Sequence, residues 1–493
     1  MGIVLKQSAT NTIITYFGFA IGAINTLFLY TTFLGKQYYG MVGFLLSAAN
    51  IMMPLMAFGV HSTMMRFYSH YKSEQEKERF LSFMLLMPLL LIIPLSAITY
   101  FFYNEIAYLI LKKNPVVAPF LWLIPVIGIF MGYFEIFYAW VKIHMKSVFG
   151  NFISEVLVRV VVMFLLFAVY WKWISADTFV YCLSAAYGLQ FLAMKSYAIY
   201  VKMPVMSFQF PDNTKDIFKY SFFIVLSGSV ASLLLEFDKV IIPAYEEFSS
   251  NAIYQVAIFI ATVIAVPSRA MLQIIYPITA KLMSENKMGE LNDLYKKSAI
   301  NLQVFGGLIM LGIFLNIDQM FLIIPGDYGT GTLVVFLIGL SKFYDVILGN
   351  NNAILLNTKY YRWVLIFGLL LFVMAIGLLL VFIPIFGAIT GAAVATLLSV
   401  MIYNTIKLLF VVKKMNLFPF TINTLKSLLI IAVVFILFYF WNFDFQPIIN
   451  IALKSLLITI VYVWVNYKWV ISPEINQVID KFLMRLNKKS KSN

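Results

Sequence analysis

Besides Lys454, three basic residues lie inside long apolar stretches of the sequence, where charge is scarce. They are Arg159, Arg269 and Lys342. A charged side chain within a membrane span is costly and usually faces a bundle interior or water. A guanidinium or an ammonium in such a place can hold an anionic group through charge-assisted hydrogen bonds. These residues are therefore candidates for ligand binding, together with Lys239 and Arg66 at the ends of apolar stretches.

Each of these three in-span candidates also has a structural explanation. Arg159 follows Glu155 by four residues, which is the spacing of an ion pair on one helix face. Lys342 precedes Asp345 by three residues and could neutralise it. Arg269 has no acid at helical spacing within its stretch, so its alternative is a side chain that extends to the cytoplasmic surface. The sequence alone leaves these alternatives open.

Two acids, Glu135 and Asp345, stand near the middle of apolar stretches. A carboxyl group in a low-dielectric environment can exchange protons near neutral pH. Asp345 could alternatively ligate Na⁺ together with the amides of three residues that follow it: Asn350, Asn351 and Asn352. Coupling to a gradient of H⁺ or Na⁺ is the resulting hypothesis. The competing explanation pairs Asp345 with Lys342, and Glu135 with Arg159 from an adjoining helix.

The elements that position these residues are apolar blocks of roughly 20 to 28 residues, the length that crosses a hydrocarbon core as a helix. The chain of 493 residues is 62% hydrophobic and 12% charged, with a mean hydropathy of +0.89. Soluble domains are about half apolar and about a quarter charged. We therefore predict an all-α polytopic membrane protein. Its fourteen predicted spans are 9–34, 39–65, 81–103, 116–141, 152–171, 176–200, 216–238, 252–276, 300–323, 332–356, 363–384, 387–411, 424–441 and 448–469.

Alternate linkers between these spans differ in their basic residues. One set, in which Lys407 is counted, carries 27 of the 36 Lys and Arg residues; the other carries five, and four lie within spans. Because short cytoplasmic loops are enriched in Lys and Arg, both termini are predicted in the cytoplasm, and Arg66 can equally be a basic anchor. The net charge of +14 then reflects topology and not nucleic-acid binding, which needs a basic soluble module.

The chain also shows signs of internal duplication. An offset of 213 places Pro54 on Pro267, and an offset of 210 places residues 133–136 on residues 343–346. Two six-helix bundles related by an axis along the membrane normal would enclose a cavity. Residues 54, 267, 349 and 387 are proline or glycine and are predicted bends. The predicted regions are an N-terminal bundle (1–203), a C-terminal bundle (212–414), an additional helix pair (420–470) and a basic cytoplasmic tail (471–493).

Four further segments carry a family resemblance: residues 58–69, 236–239, 265–270 and 348–355. On these, the chain resembles the polysaccharide-biosynthesis flippases of lipid-linked oligosaccharide repeat units. Their superfamily also contains the MATE multidrug exporters and the lipid II flippases. The resemblance covers nearly the whole chain, and fourteen spans favour the flippase branch over the drug exporters, which typically have twelve.

This resemblance implies alternating-access transport of a polyprenyl-diphosphate-linked oligosaccharide from the inner to the outer leaflet of the cytoplasmic (inner) membrane. The product would enter surface polysaccharide such as lipopolysaccharide. The implied partners are the lipid-linked oligosaccharide, membrane lipids, and a polysaccharide polymerase or glycosyltransferases, with no nucleic acid and no cofactor. A diphosphate needs cations and a glycan stacks on aromatic rings, so the implied substrate contacts are Arg159, Arg269, Lys239, Arg66, Tyr133 and Tyr344.

Two other functions compete with the flippase. A cation-coupled multidrug exporter of the same fold would differ in the charge of its cavity, and the in-span charges are mixed. A membrane-embedded polymerase or glycosyltransferase is less favoured, because the longer outer linkers, 104–115 and 239–251, carry neither a His nor a paired-carboxylate motif. The three His residues are too far apart in sequence for a metal cluster. We therefore predict a transporter and not an enzyme.

Overall fold

The computed structural model describes residues 2–203, 205, 207, 209–358 and 360–490. The side chains of residues 2–9, 106, 109, 227–235, 270, 361, 362, 365, 482 and 485–490 are not included in that description. Two basic residues from the topology count, Lys359 and Lys491, lie outside the described residues.

The chain forms two compact units, Met1–Gln255 and Val256–Asn493. The boundary between them falls within one helix, α12, and the predicted repeat boundary near residues 203–212 stays a prediction. The first unit and this shared helix comprise α1 (Gly2–Ile24), α2 (Gly35–Met56), α3 (Val60–Phe67), α4 (Glu74–Leu86), α5 (Leu89–Phe101), α6 (Tyr103–Leu111), α7 (Leu123–Ile143), α8 (Ser147–Phe152), α9 (Val158–Tyr170), α10 (Ala176–Val201), α11 (Thr214–Tyr245) and α12 (Phe248–Thr262).

Two π-helical stretches, Asn25–Leu34 and Ile153–Leu157, continue α1 and join α8 to α9. The second unit comprises α13 (Val266–Ser284), α14 (Met288–Phe314), α15 (Ile317–Ile323), α16 (Thr332–Ile347), α17 (Asn351–Leu356), α18 (Tyr361–Phe386), α19 (Ala388–Met415), α20 (Ile422–Tyr439), α21 (Pro447–Lys468) and α22 (Pro473–Ser490). Short 3₁₀ turns connect some of these helices, and the described residues contain no β-strand.

The all-α membrane fold is confirmed. Eleven helical segments of the described chain are long and apolar enough to cross a membrane. One of them, Thr10–His70, contains two of the predicted spans. The predicted spans at 176–200 and 216–238 coincide with α10 and α11, which are outside these eleven. The count of fourteen stays a prediction.

Three of the four predicted bends coincide with helix interruptions, whereas Pro54 lies inside α2, three residues before the α2–α3 break begins at Ala57. Gly59 and Gly349 have φ of +64° and +57° at the α2–α3 and α16–α17 breaks, a backbone conformation that favours glycine. Pro267 stands in the first turn of α13, where its missing N–H costs no helical hydrogen bond. Gly387, with φ of +82°, separates α18 from α19. Local steric chemistry therefore divides long apolar stretches into shorter helices.

A buried asparagine links three segments of the first unit. Asn114, which is fully buried, follows α6; its amide group donates to the carbonyl oxygens of Pro243 (2.8 Å) and Glu246 (2.9 Å). Its side-chain oxygen accepts from the Phe248 backbone N–H at 2.8 Å. Asn114 thus supplies hydrogen-bond partners to backbone groups where α11 ends and α12 begins. Without it, these groups would be buried without partners.

We expect Asn114→Ala to lower the free energy of unfolding by about 3 kcal/mol or more, because three hydrogen-bonding groups lose a buried partner. Thermal unfolding of the purified protein measures the loss. Asn104→Ala is the matched control, since Asn104 is exposed on α6. Equal melting temperatures for the two variants would contradict a role of Asn114 in joining these segments.

Candidate functional site

The α16–α17 break in the second unit creates a polar site among apolar helices. A Cβ at Gly349 would lie 2.6 Å from the Ser298 hydroxyl oxygen, so the chain turns here in close contact with α14. Glycine is needed both for this approach and for the positive φ. The break delivers three asparagines to the same region: Asn350, Asn351 and Asn352.

Asn350 is held entirely by neighbouring helices. Its side chain is fully buried; its amide group donates to the Thr279 hydroxyl at 2.7 Å. Its side-chain oxygen accepts from the Ser298 hydroxyl at 3.2 Å. Asn350 therefore connects α13, α14 and the α16–α17 break, and its oxygen is already engaged by a protein donor.

Asn351 differs from its neighbour, because both polar atoms of its side chain are buried without a hydrogen-bond partner. The residue is 2% exposed and lines a cavity of about 30 Å³. The cavity lining also includes Ser268, Asp345, Asn352 and Lys407. A space of this size holds about one water molecule, and these groups can supply its hydrogen bonds.

Lys407 is the functional candidate that the sequence analysis missed. The topology count placed it in a cytoplasmic linker, and this is wrong, since the residue lies within α19 and is 2% exposed. Its ammonium donates to the side-chain oxygen of Asn352 at 2.7 Å and lies 4.2 Å from the Tyr403 ring centroid. The sequence feature that could have identified Lys407 is its position inside the predicted span 387–411, where a charge is costly.

Asp345 has an amide donor on α19. The Asn404 side chain donates to a carboxylate oxygen of Asp345 at 3.0 Å. Asp345 itself is exposed on α16, whereas Asn404 is buried. The predicted candidate Lys342 is half-buried on α16. Asp345, Asn351, Asn352 and Lys407 thus line one small cavity, whereas Asn350 is bound to neighbouring helices.

An apolar groove of about 920 Å³ lies in the same unit. Its walls are formed by α14, α16, α19 and α20, with residues such as Phe336, Leu397 and Leu428. Tyr344, a predicted glycan contact, lines this groove, and its hydroxyl shares a 2.7 Å hydrogen bond with Thr405. The lining is otherwise apolar apart from Thr421 and Thr424, so the groove suits a hydrocarbon chain.

In the first unit, Arg159 forms the ion pair with Glu155 that the spacing predicts. The guanidinium lies 2.8 Å from the carboxylate and also donates to the Glu155 backbone carbonyl. The alternative pairing with Glu135 is therefore wrong. Gly18 and Gly22 of α1 form a notch for this side chain, since a Cβ on either would lie within 3.3 Å of guanidinium nitrogens. The Arg159 side chain is thus held between Glu155 and the glycine notch.

Glu135 is half-buried on α7 and has no ion pair among the described residues. Tyr133, two residues earlier on α7, is also half-buried; its hydroxyl donates to the Leu85 carbonyl oxygen at 3.4 Å and its ring contacts Phe191. Glu135 thus remains a candidate for proton exchange, while Tyr133 is engaged by its neighbours.

Lys239 is also engaged in a local network. Its ammonium pairs with Glu236, which accepts a second hydrogen bond of 2.7 Å from Ser47. The adjacent Asp238 accepts from the Lys239 backbone N–H at 2.8 Å and from the Tyr254 hydroxyl at 2.6 Å. This network satisfies the buried acid and ties α11 to α2 and α12.

The other two basic candidates are available for an external ligand. Arg269 is exposed in the first turn of α13, and Arg66 is exposed near the end of α3. Neither forms an ion pair within the described part of the chain. The guanidinium of Arg66 lies 4.4 Å from the Tyr220 ring centroid. Arg66 and Arg269 therefore differ from Arg159 and Lys239, each of which forms an ion pair.

Comparison with known proteins identifies similarities along the chain. The family model described as "Polysaccharide biosynthesis protein" matches residues 4–283. No curated protein matches the chain. A lipid II flippase MurJ in its inward closed conformation is similar over 94% of this chain and 99% of that chain, with a TM-score of 0.73 and 19% sequence identity.

A second solved structure is an inward-facing multidrug resistance MATE family transporter of the MOP superfamily. It is similar over 84% of this chain and 94% of that chain, with a TM-score of 0.62 and 13% identity. At these identities the similarity establishes the shared fold, and it confirms the predicted MATE-like architecture.

Proposed function

Because the chain belongs to the polysaccharide biosynthesis protein family, we propose that it is a flippase for a polyprenyl-diphosphate-linked oligosaccharide. It would move this molecule from the inner to the outer leaflet of the cytoplasmic membrane by alternating access, with both of its own termini in the cytoplasm. Glycosyltransferases would supply the substrate, and a polysaccharide polymerase would consume it. The proposed product is a precursor of surface polysaccharide such as lipopolysaccharide.

The apolar groove is the observation that carries this proposal. A lipid-linked substrate needs a path for its hydrocarbon chain, and a groove of about 920 Å³ with almost entirely apolar walls offers one. A hydrocarbon chain that enters this groove from the bilayer core stays in apolar surroundings, so its movement does not require transfer into water. In the proposed mechanism, α20 forms one side of this path through Leu428, Ala432 and Phe435.

The diphosphate requires positive charge that is not already neutralised. Arg66 and Arg269 are exposed and have no ion pair among the described residues, so they are the proposed phosphate contacts. Arginine suits this role because its planar guanidinium can form two parallel hydrogen bonds with phosphate oxygens. Arg159 and Lys239 are better assigned to stability, since each already pairs with an acid of its own helix turn.

Coupling to an ion gradient stays part of the proposal, with Glu135 as the better-placed acid. It is half-buried and without an ion pair among described residues, so protonation could change its interactions during transport. The Na⁺ alternative at Asp345 is weakened, because the side-chain oxygens of Asn350 and Asn352 already accept hydrogen bonds from protein donors.

A multidrug exporter of the same fold is the second candidate, favoured by the likeness to the MATE family transporter. The two functions are distinguished by reconstituting the purified protein in lipid vesicles. We expect a polyprenyl-diphosphate-linked oligosaccharide in one leaflet to become accessible in the other, as measured with an impermeant sugar-modifying reagent. Transport of cationic dyes without lipid flipping would instead identify an exporter.

In the same vesicles, we expect Arg269→Gln to lower the flipping rate at least tenfold, since a lost charge-assisted hydrogen bond costs about 1.5–3 kcal/mol. The melting temperature should be unchanged, because Arg269 is exposed. Lys281→Gln is the control: Lys281 is exposed on the same helix, where its ammonium lies 3.9 Å from Glu285. Equal flipping by the two variants would remove Arg269 from the proposed substrate path.

A further inference from the structure

The small cavity beside Asn351 is surrounded by the oxygen types that hard cations bind. Its lining includes the carboxylate of Asp345, the amides of Asn351 and Asn352, and the hydroxyl of Ser268. Carboxylate, amide and hydroxyl oxygens are the usual protein ligands of such ions. The Ser268 hydroxyl donates to the Ala265 carbonyl oxygen at 2.7 Å, which leaves its lone pairs to face a cation.

A cation is already present in this lining. Lys407 reaches the cavity from α19, and its ammonium donates to the Asn352 side-chain oxygen at 2.7 Å. Because only 2% of the residue is exposed, its charge is removed from bulk water and needs protein partners. The Tyr403 ring face, 4.2 Å away, supplies one further favourable contact.

Asp345 is the acid in the cavity lining, and its negative charge attracts the ammonium, although the two groups form no direct ion pair among the described residues. Its carboxylate is also positioned by Asn404, one turn before Lys407 on the same helix. A second cation in this small cavity would lie beside the buried ammonium of Lys407, and the two like charges would repel each other. It would also have to displace the ammonium from the oxygen of Asn352.

We propose that the Lys407 ammonium is the permanent cation of this site and that it excludes Na⁺ and K⁺ from it. The lysine side chain has the charge of an alkali ion but remains covalently attached, so the site keeps its occupant. Shortening the Lys407 side chain would remove its positive charge and leave space in the cavity. The site could then bind an alkali cation. This inference concerns the occupant of the site and does not depend on which molecule is transported.

Equilibrium binding of radioactive Na⁺ to the purified full-length chain tests the proposal. The wild-type protein should show no saturable binding. Lys407→Ala should show saturable binding, with at least about tenfold more Na⁺ retained than wild type at equal concentration, because the repulsion is gone. The double variant Lys407→Ala/Asp345→Asn should lose this gain, since it lacks the carboxylate that would attract Na⁺.

Lys454→Ala is the matched control. Lys454 is also 2% exposed, and its ammonium likewise donates to an asparagine side-chain oxygen, that of Asn442, at 3.0 Å. This variant removes a buried lysine without opening the cavity beside Asn351, so it should gain no Na⁺ binding. An equal gain in Lys454→Ala would overturn the assignment of the site.

Two other results would also overturn the proposal. One is a folded Lys407→Ala protein that binds no more Na⁺ than wild type. The other is saturable binding by the wild type that Asn351→Ala removes, which would make the cavity an ordinary cation site despite Lys407. If Lys407→Ala does not fold, Na⁺ binding by the wild type and by Asn351→Ala tests the proposal instead. Absence of saturable Na⁺ binding by the wild type then supports the proposal that the Lys407 ammonium occupies the site.

Discussion

Replacing Gly40 with alanine is expected to prevent normal assembly of the first unit. A Cβ at Gly40 would lie 1.7 Å from the backbone carbonyl oxygen of Phe248 and 3.1 Å from the backbone nitrogen of Ala252. Neither atom belongs to a flexible side chain, so α2 and α12 would have to separate by more than an ångström. This separation would also break the 2.8 Å hydrogen bond from the Asn251 side chain to the Gly40 carbonyl oxygen.

We therefore expect Gly40→Ala to lower the free energy of unfolding by about 3 kcal/mol or more, combining overpacking with a lost buried hydrogen bond. Thermal unfolding and the monodisperse fraction in gel filtration are the measurements. Gly377→Ala is the matched control: its Cβ would meet no atom within 4 Å, and removing a glycine from a helix gains about 0.5–1 kcal/mol. A Gly40→Ala protein as stable as this control would contradict the close helix contact.

A tryptophan in place of Ala432 is expected to abolish lipid flipping without unfolding the protein. Ala432 is exposed on α20 and lines the apolar groove, so the larger side chain would occupy space assigned to the hydrocarbon chain of the substrate. We expect the flipping rate to fall by a factor of about 100, as a misplaced substrate of this kind loses several kcal/mol of productive binding. The vesicle assay described above measures the rate.

The neighbouring residue offers a stringent control for this experiment. Val433 is 62% exposed on the same helix, and it is not part of the groove lining. Val433→Trp adds the same aromatic ring to the same helix, so it should flip substrate at nearly the wild-type rate. If both tryptophans reduce flipping equally, the effect belongs to α20 as a whole and the groove is not the lipid path.

Local sequence rules predicted much of the fold because they depend on neighbouring residues. The apolar blocks form helices, as membrane burial and backbone hydrogen bonding require. Gly349 and Pro267 interrupt their helices because of φ preference and a missing N–H. The pairing of Arg159 with Glu155 follows from a separation of four residues.

The polar site was only partly predictable, since its contacts join residues far apart in sequence. Asp345 and the asparagine run were identified as a cluster, whereas Lys407 was assigned to a linker by counting charges. The hydrogen bond from Lys407 to Asn352 spans 55 residues, and no local spacing indicates it. Asn114 is a comparable case: a lone asparagine after a helix has no periodic pattern that marks it as a buried link.

The glycine notch around Arg159 has a consequence for motion. Sliding α1 by one helical turn, about 5.4 Å, would bring Ile14 or Thr26 opposite the guanidinium in place of one glycine. Either side chain would collide with Arg159, so α1 and α9 are expected to travel as one rigid body. Hinge rotation during a transport cycle would then act at helix breaks outside this pair, such as the α2–α3 break at Gly59.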